Sequence, residues 1–356
     1  MVLSCGDVSI MEKCIITIRG QADGVWYDQE PIVPESITWR TKRKGEPSTL
    51  EFTCIKDDLL SFQEGSEVTF QYGNRLVFSG YVFEKSRNKD QHISVKCYDR
   101  TRYLKNKYSH VFTNLRADQI IQRIADDLQL KVGKDGLANT GYVIPKLAQS
   151  NLTLLDMIQN ALDLTTQATG IVYTFYDEFG YLYLKPLDDM TTDYLLDAEV
   201  AEDFDYTTSI DRNTYNSIVV KVEGEEPIVV YDETKKDAKG NVIHQSSMAS
   251  WGYLQYETES TTKELAYQKG QALLRMYNNV SCGLGINGAF GDINVRGGAG
   301  IYIDLSFGDS HGDFRAKREE NATYYMKMLV DEATHTFENG HHTMDLTLID
   351  GRGFYG

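Results

Sequence analysis

The chain is poor in the features that usually announce a function. Its 356 residues include only 6 prolines, 3 tryptophans and 5 cysteines. The cysteines (Cys5, Cys14, Cys54, Cys97 and Cys282) are odd in number, widely spaced and without a C-x-x-C pair. That pattern argues against a disulfide framework and a structural zinc site, and predicts buried free thiols in a protein folded in a reducing cytoplasm. No apolar run reaches the roughly twenty residues of a membrane span, so no membrane insertion is expected. The segment 1–20 carries Asp7, Glu12 and Lys13 where a secretory leader needs an unbroken apolar stretch. Basic residues are also scarce. The 36 Lys+Arg against 52 Asp+Glu leave a net charge of −16, which disfavours nucleic-acid wrapping. No G-x-S-x-G, H-E-x-x-H or phosphate-binding P-loop occurs. The adjacent carboxylates Asp126-Asp127, Asp188-Asp189 and Glu319-Glu320 point apart on any strand or helix, so none makes an acid/base pair. A non-enzyme is expected, with no catalytic, cofactor-binding or metal-binding residue and no cofactor.

What the chain does have is tyrosine (23), phenylalanine (14) and glycine (29), a composition of strands and turns. Residues 14–19, 36–40, 49–54, 67–72, 76–83 and 92–98 alternate as half-buried strands, with Gly73-Asn74 as a hairpin signal. The period then becomes helical at Ile120, Ile121, Ile124 and Leu128, with Asn114 as a candidate cap. Thr153-Leu154-Leu155-Asp156 reads as a capping box for a second helix burying Leu154, Leu155, Ile158, Ala161 and Leu162. A hairpin at 171–176 and 181–185 turns on Asp177-Glu178-Phe179-Gly180. Strands return at 217–222 and 227–231. They are followed by a polar exposed loop (232–247), a helix at 261–277 burying Leu265, Ala266, Ala272, Leu273 and Met276, and a long hairpin at 324–349. The expected fold is mainly β with an α+β insert: two antiparallel β-barrel or sandwich domains, 1–106 and 193–356, separated by a small helix–helix–hairpin domain, 107–192.

Several clusters invite a sharper reading. Gly283-Leu284-Gly285-Ile286-Asn287-Gly288 is a literal G-x-G-x-x-G, but it follows a helix and precedes more glycines, so a flexible turn is expected rather than a dinucleotide site. If Asn339-Gly340 is a two-residue turn, His342 faces Phe337 and His335 faces Met344. The two imidazoles then lie diagonally on one face, with no third metal ligand in view. Asp309, His311 and Asp313 alternate like a metal loop without its closing glutamate. Arg100, Arg102, Lys105 and Lys107 form a basic stretch, read either as a patch for an acidic partner or as the exposed end of the first β unit. Trp26, Trp39 and Trp251 suit a carbohydrate platform or a buried sheet equally.

The order of these segments resembles a known family. Gly65 to Phe70, Phe78-Ser79-Gly80-Tyr81-Val82 and Cys97-Tyr98-Asp99-Arg100 with Tyr103-Leu104 are similar to the first domain of contractile-tail hub proteins of the XkdQ/YqbQ type, relatives of late-control protein D and the myophage baseplate hub. Segments 117–121, 154–158 through 181–184, 214–220, 291–298, 330–337 and 340–344 continue the likeness over nearly the whole chain, with Gly297 where the family often has proline. The resemblance implies two tube-like β domains per chain and a homotrimer closing into a pseudo-hexameric ring between a hexameric tail tube and a trimeric spike. It implies tube, spike, wedge and tape-measure partners, no sequence-specific nucleic-acid binding, and a place in a particle tail made in the host cytoplasm. The rival expectations are a tail-associated cell-wall polysaccharide hydrolase and a carbohydrate- or receptor-binding β module.

Overall fold

The computed structural model describes residues 12–22, 25–197, 203–211, 214–222, 224–260, 262–304 and 326–350. Seven strands open the chain: β1 (Cys14–Ala22), β2 (Val25–Gln29), β3 (Ile37–Lys42), β4 (Thr49–Ile55), β5 (Glu67–Tyr72), β6 (Arg75–Arg87) and β7 (His92–Tyr98). Alternation decides their faces: Ile37, Trp39 and Thr41 of β3, and Ile93, Val95 and Cys97 of β7, are buried while their neighbours are not. A 3-10 turn, Arg100–Lys105, leads into the insert, β8 (Lys107–Arg116), α1 (Ala117–Asp127), β9 (Val132–Leu137), β10 (Val143–Thr153), α2 (Leu154–Thr169), β11 (Tyr173–Glu178) and β12 (Tyr181–Pro186). After a second 3-10 turn (Leu187–Met190) come β13 (Thr191–Asp197) and β14 (Asp203–Ser209). A smaller layer follows, β15 (Ser217–Val222), β16 (Ile228–Tyr231), β17 (Lys235–Lys236), β18 (Val242–His244), α3 (Met248–Trp251), β19 (Gln255–Ser260) and α4 (Lys263–Tyr277). The chain closes with β20 (Ser281–Phe290), β21 (Gly300–Asp304), β22 (Met326–Glu338) and β23 (His341–Asp350).

The two β units are hydrogen-bonded into one 13-stranded sheet, in the order β14-β20-β23-β22-β3-β4-β7-β6-β5-β1-β2, with β21 on β22 and β13 on β21. The join is β22 against β3, from Glu332↔Lys42 to Phe337↔Ile37. The other half of β22 pairs with β21 instead, from Met326 to Leu329. The change of partner falls at an irregularity around Asp331, where the β22–β23 register also shifts. Arg43 seals that point, its backbone N–H donating to the Asp331 carbonyl (2.8 Å) and its Nε to the Asp331 carboxylate (3.2 Å). Gly297 sits against it so closely that a Cβ would lie 2.5 Å from backbone atoms of Lys42 and Arg43. The close approach makes glycine a packing requirement at this position.

Each half keeps its own core on the sheet's apolar side, the first around Ile18, Leu50, Phe70 and Cys97, the second around Leu284, Ile301, Val330 and Leu348. Phe337 from the last hairpin enters the first of these cores. The expected helices form. Thr153 Oγ accepts from the Asp156 N–H (3.1 Å), and all five residues expected in the stripe of α2 are buried. The cap of α1 is Arg116 and not Asn114: Gln119 accepts from the Arg116 N–H (3.0 Å), while Asn114 stays in β8 with φ of 52°. In α4, Ala266, Gly270 and Leu273 face the β15–β16–β19 sheet, and Leu265 is exposed. The G-x-G-x-x-G is no flexible turn. It forms the middle of β20, laddered to β14 and β23.

Candidate functional site

The turn that sets the C-terminal hairpin behaves as its dipeptide requires. Asn339 and Gly340 both have positive φ (51° and 78°), and the register runs Phe337↔His342 and His335↔Met344. His335 and His342 therefore meet across one face. His335 Nε2–H donates to the Val295 carbonyl (2.8 Å), which leaves its Nδ1 as the acceptor for His342 Nε2–H (2.9 Å). Both nitrogens of His335 are thus satisfied by the protein itself, and the ring is fully buried beside Trp39, 4.6 Å between centroids. Burial, and for His335 also the neighbouring His342, push the pair down to about 3 and about 4, so both stay neutral. The pair is a packing and hydrogen-bonding device of the seam, and His341 lies exposed at the turn. Among the described residues no cluster of three metal-ligating side chains occurs.

The basic stretch is drawn inward at its start. Arg100 donates to Ser79 Oγ (3.0 Å), pairs with Glu67 (3.2 Å) and lies over the Tyr81 ring. Lys105 Nζ donates to the Gly45 carbonyl (2.9 Å). Trp39 belongs to the core, Trp251 is half-buried, and Trp26 lies in β2. Asp126-Asp127 end α1, and Asp188-Asp189 sit in the second 3-10 turn. Asp309, His311, Asp313 and Glu319-Glu320 lie outside the described residues. The run 232–247 is exposed over most of its length but tied at its base: Asp232 accepts from His244 Nε2 (2.7 Å) and from the Ser247 N–H (2.7 Å).

Two buried carboxylates escaped the sequence reading. Asp99 accepts from the backbone N–H groups of Ser48 (3.1 Å) and Thr101 (2.9 Å). Asp177 accepts from the Gly180 N–H (2.7 Å), and its second oxygen has no partner among the described residues. Burial raises both, and Asp99 raises Asp177 further. They sit where the insert is seated on the sheet, with Arg296 stacked on Tyr176 (4.2 Å) and donating to the Asp177 carbonyl (3.0 Å). The only signal available was turn chemistry at Asp177-x-x-Gly180, which shows a turn but not its depth.

A chemically distinctive surface is the sheet's open face, the one opposite the two apolar cores. Residues directly opposite across a ladder share a face, so pairs such as Asp205↔Gly285, Thr347↔Gly285, Thr334↔Asp345, Thr336↔Thr38, Thr38↔Glu51, Glu51↔Lys96 and Thr53↔Ser94 trace it from one half to the other. It is built of hydroxyls, glycines and charges. Among the residues of its strands, carboxylates such as Glu51, Glu67, Glu84, Asp203, Asp205, Glu332 and Asp345 outnumber the cations Arg19, Arg40, Lys42 and Lys96, and these four are paired in ion bridges. The strands at the two ends of the main path, β14 and β2, and β13 at the end of its branch each pair on one side only among the described residues. Phe204 on β14 is 44% exposed. No described helix is long and apolar enough to cross a membrane.

This architecture is shared with solved tail proteins. The 43 kDa tail protein of prophage MuSo2 from Shewanella oneidensis superposes with a TM-score of 0.62 at 13% identity, covering 96% of this chain and all of that one. A tail protein of Neisseria meningitidis MC58 gives 0.64 at 11% identity over 96% and 98% of the two chains. The fold is therefore the mainly β tail-protein fold, two sheet halves with an α+β insert. In sequence, the family described as YQBQ-like matches residues 37–349. The phage-like element PBSX protein XkdQ of Bacillus subtilis (strain 168) is 30% identical over 340 residues, 92% of this chain and 95% of XkdQ. YqbQ of the same strain, an uncharacterized protein, is 30% identical over 330 residues, 90% and 93% of the two. The chain belongs to the YqbQ-like family.

Proposed function

We propose that this chain is a structural component of a phage or phage-like contractile tail and forms its baseplate hub. Three copies close into a pseudo-hexameric ring that joins the hexameric tail tube to the trimeric spike, with wedge and tape-measure proteins as further neighbours. The observation that carries this reading is the continuous 13-stranded sheet. One chain splices two β units edge to edge, so three chains around an axis present six roughly equivalent positions. The single-sided strands β14 and β2 pair between neighbouring copies, which removes the edges an isolated sheet leaves open. The hydroxyl-rich, carboxylate-dominated face then lines the bore, where a phosphate backbone is repelled and slides instead of sticking. In this reading no residue is catalytic.

Mass photometry with imaging, with and without the spike protein, tests the ring. The wild-type chain is expected as a trimeric ring. Phe204→Asp places a charge in the contact between copies and is expected to give monomers that remain folded by circular dichroism. A wild-type chain that stays monomeric under both conditions overturns the reading.

A further inference from the structure

In a chain of net charge −16, one cleft is rich in cations. It lies on the open face where the 3-10 turn after β7 crosses the β3–β4 connection, and it has a volume of about 540 Å³. Arg40, Lys96, Arg102 and Lys105 line it together with Pro47 and Tyr98. Its own carboxylates are already committed. Glu46 is held below its ordinary range by Lys42 and Arg40, and Glu51 pairs with Lys96 at 2.6 Å. Arg102 and Lys105 have no carboxylate partner among the described residues. The Arg102 guanidinium instead lies over Phe83 (5.4 Å) and Tyr98 (5.9 Å), rings that also pack on each other at 5.3 Å. An arginine braced on aromatic rings meets a carboxylate with little further ordering.

We propose that this cleft is a docking site for an extended acidic peptide, whose carboxylates meet Arg102 and Lys105. Charge complementarity sets the sign of the partner. The pattern of charge sets its class. A peptide can carry carboxylates at the positions that meet the two unmatched cations and uncharged side chains where it passes Glu46 and Glu51. A nucleic-acid strand carries a phosphate at every step and cannot avoid those two glutamates or the acidic face around them. The site is complete on one chain and does not rest on the ring.

Fluorescence anisotropy with the full chain and a fluorescein-labelled peptide of alternating Glu and Leu tests this. Binding is expected at low salt and is expected to weaken as salt screens the contact. The double variant Arg102→Ala, Lys105→Ala is expected to lose about tenfold or more in affinity with an unchanged melting temperature. If that variant unfolds, Arg102→Glu alone is expected to show the same loss. The proposal is overturned if the uncharged Gln-Leu counterpart binds as well, if neither variant weakens binding, or if a single-stranded oligonucleotide of equal length binds as tightly.

Discussion

His335 shows how much a single buried side chain can be asked to do at a junction. It closes a chain of hydrogen bonds from His342 to Val295 and packs on Trp39 from the other half of the sheet. Because both imidazoles titrate well below their ordinary value when folded, the unfolded chain binds more protons below about pH 6.5. Their contribution is complete above that pH and is lost as the pH falls through it toward 4 and 3. Near pH 5 the buried His335 costs up to about 1.4 kcal/mol for each further unit. Asp99 and Asp177 work the other way, since carboxyls raised by burial favour the folded state as the pH falls. The histidines are therefore isolated by comparison: His342→Gln is expected to lose less stability than the wild type between pH 7 and 5 in urea titrations, and equal slopes would contradict the assignment. The diagonal meeting of these rings was legible, because Asn339-Gly340 dictates the register. The depth of Asp99 and Asp177 was not, because a turn motif reads the same on the surface and under a second domain.

Among the elements, β22 is the one that the local pattern described best and explained least. Its length and alternation were visible, and so was its pairing with β23. Its second life as the splice between β3 and β21 was not, since long-range ladders leave no mark on a strand's own residues. The glycines of β20 misled for a related reason: a segment laddered on both sides is strand whatever its propensity, since tertiary pairing overrides it. Gly297 gives the splice a direct test. Gly297→Ala drives a Cβ into the Lys42–Arg43 backbone, and an expected loss of about 1–3 kcal/mol would appear as a lowered urea midpoint. Replacing Asn339-Gly340 with two valines forbids the positive φ at both turn positions, so a lowered melting temperature and loss of assembly by light scattering are expected. An unchanged oligomer would show that the hairpin contributes nothing to the ring.

For the whole molecule, the net charge of −16 gains a location. Carboxylates prevail on the open face of the sheet, while the exception at Arg102 and Lys105 is confined to one cleft. The sheet itself has a consequence in time. Phe337 pairs with Ile37, and Arg43 is sealed by Asp331, 288 positions further on, so residues made early await partners made much later. A ladder between such distant segments forms late, because the loop must close before the contacts repay it. While the chain emerges from the ribosome, β3 keeps a bare edge on which neighbouring nascent chains could template. A message truncated before β22 would leave that edge permanently open. Completion of the sheet thus doubles as proofreading: only a chain translated through β22 and β23 closes that edge.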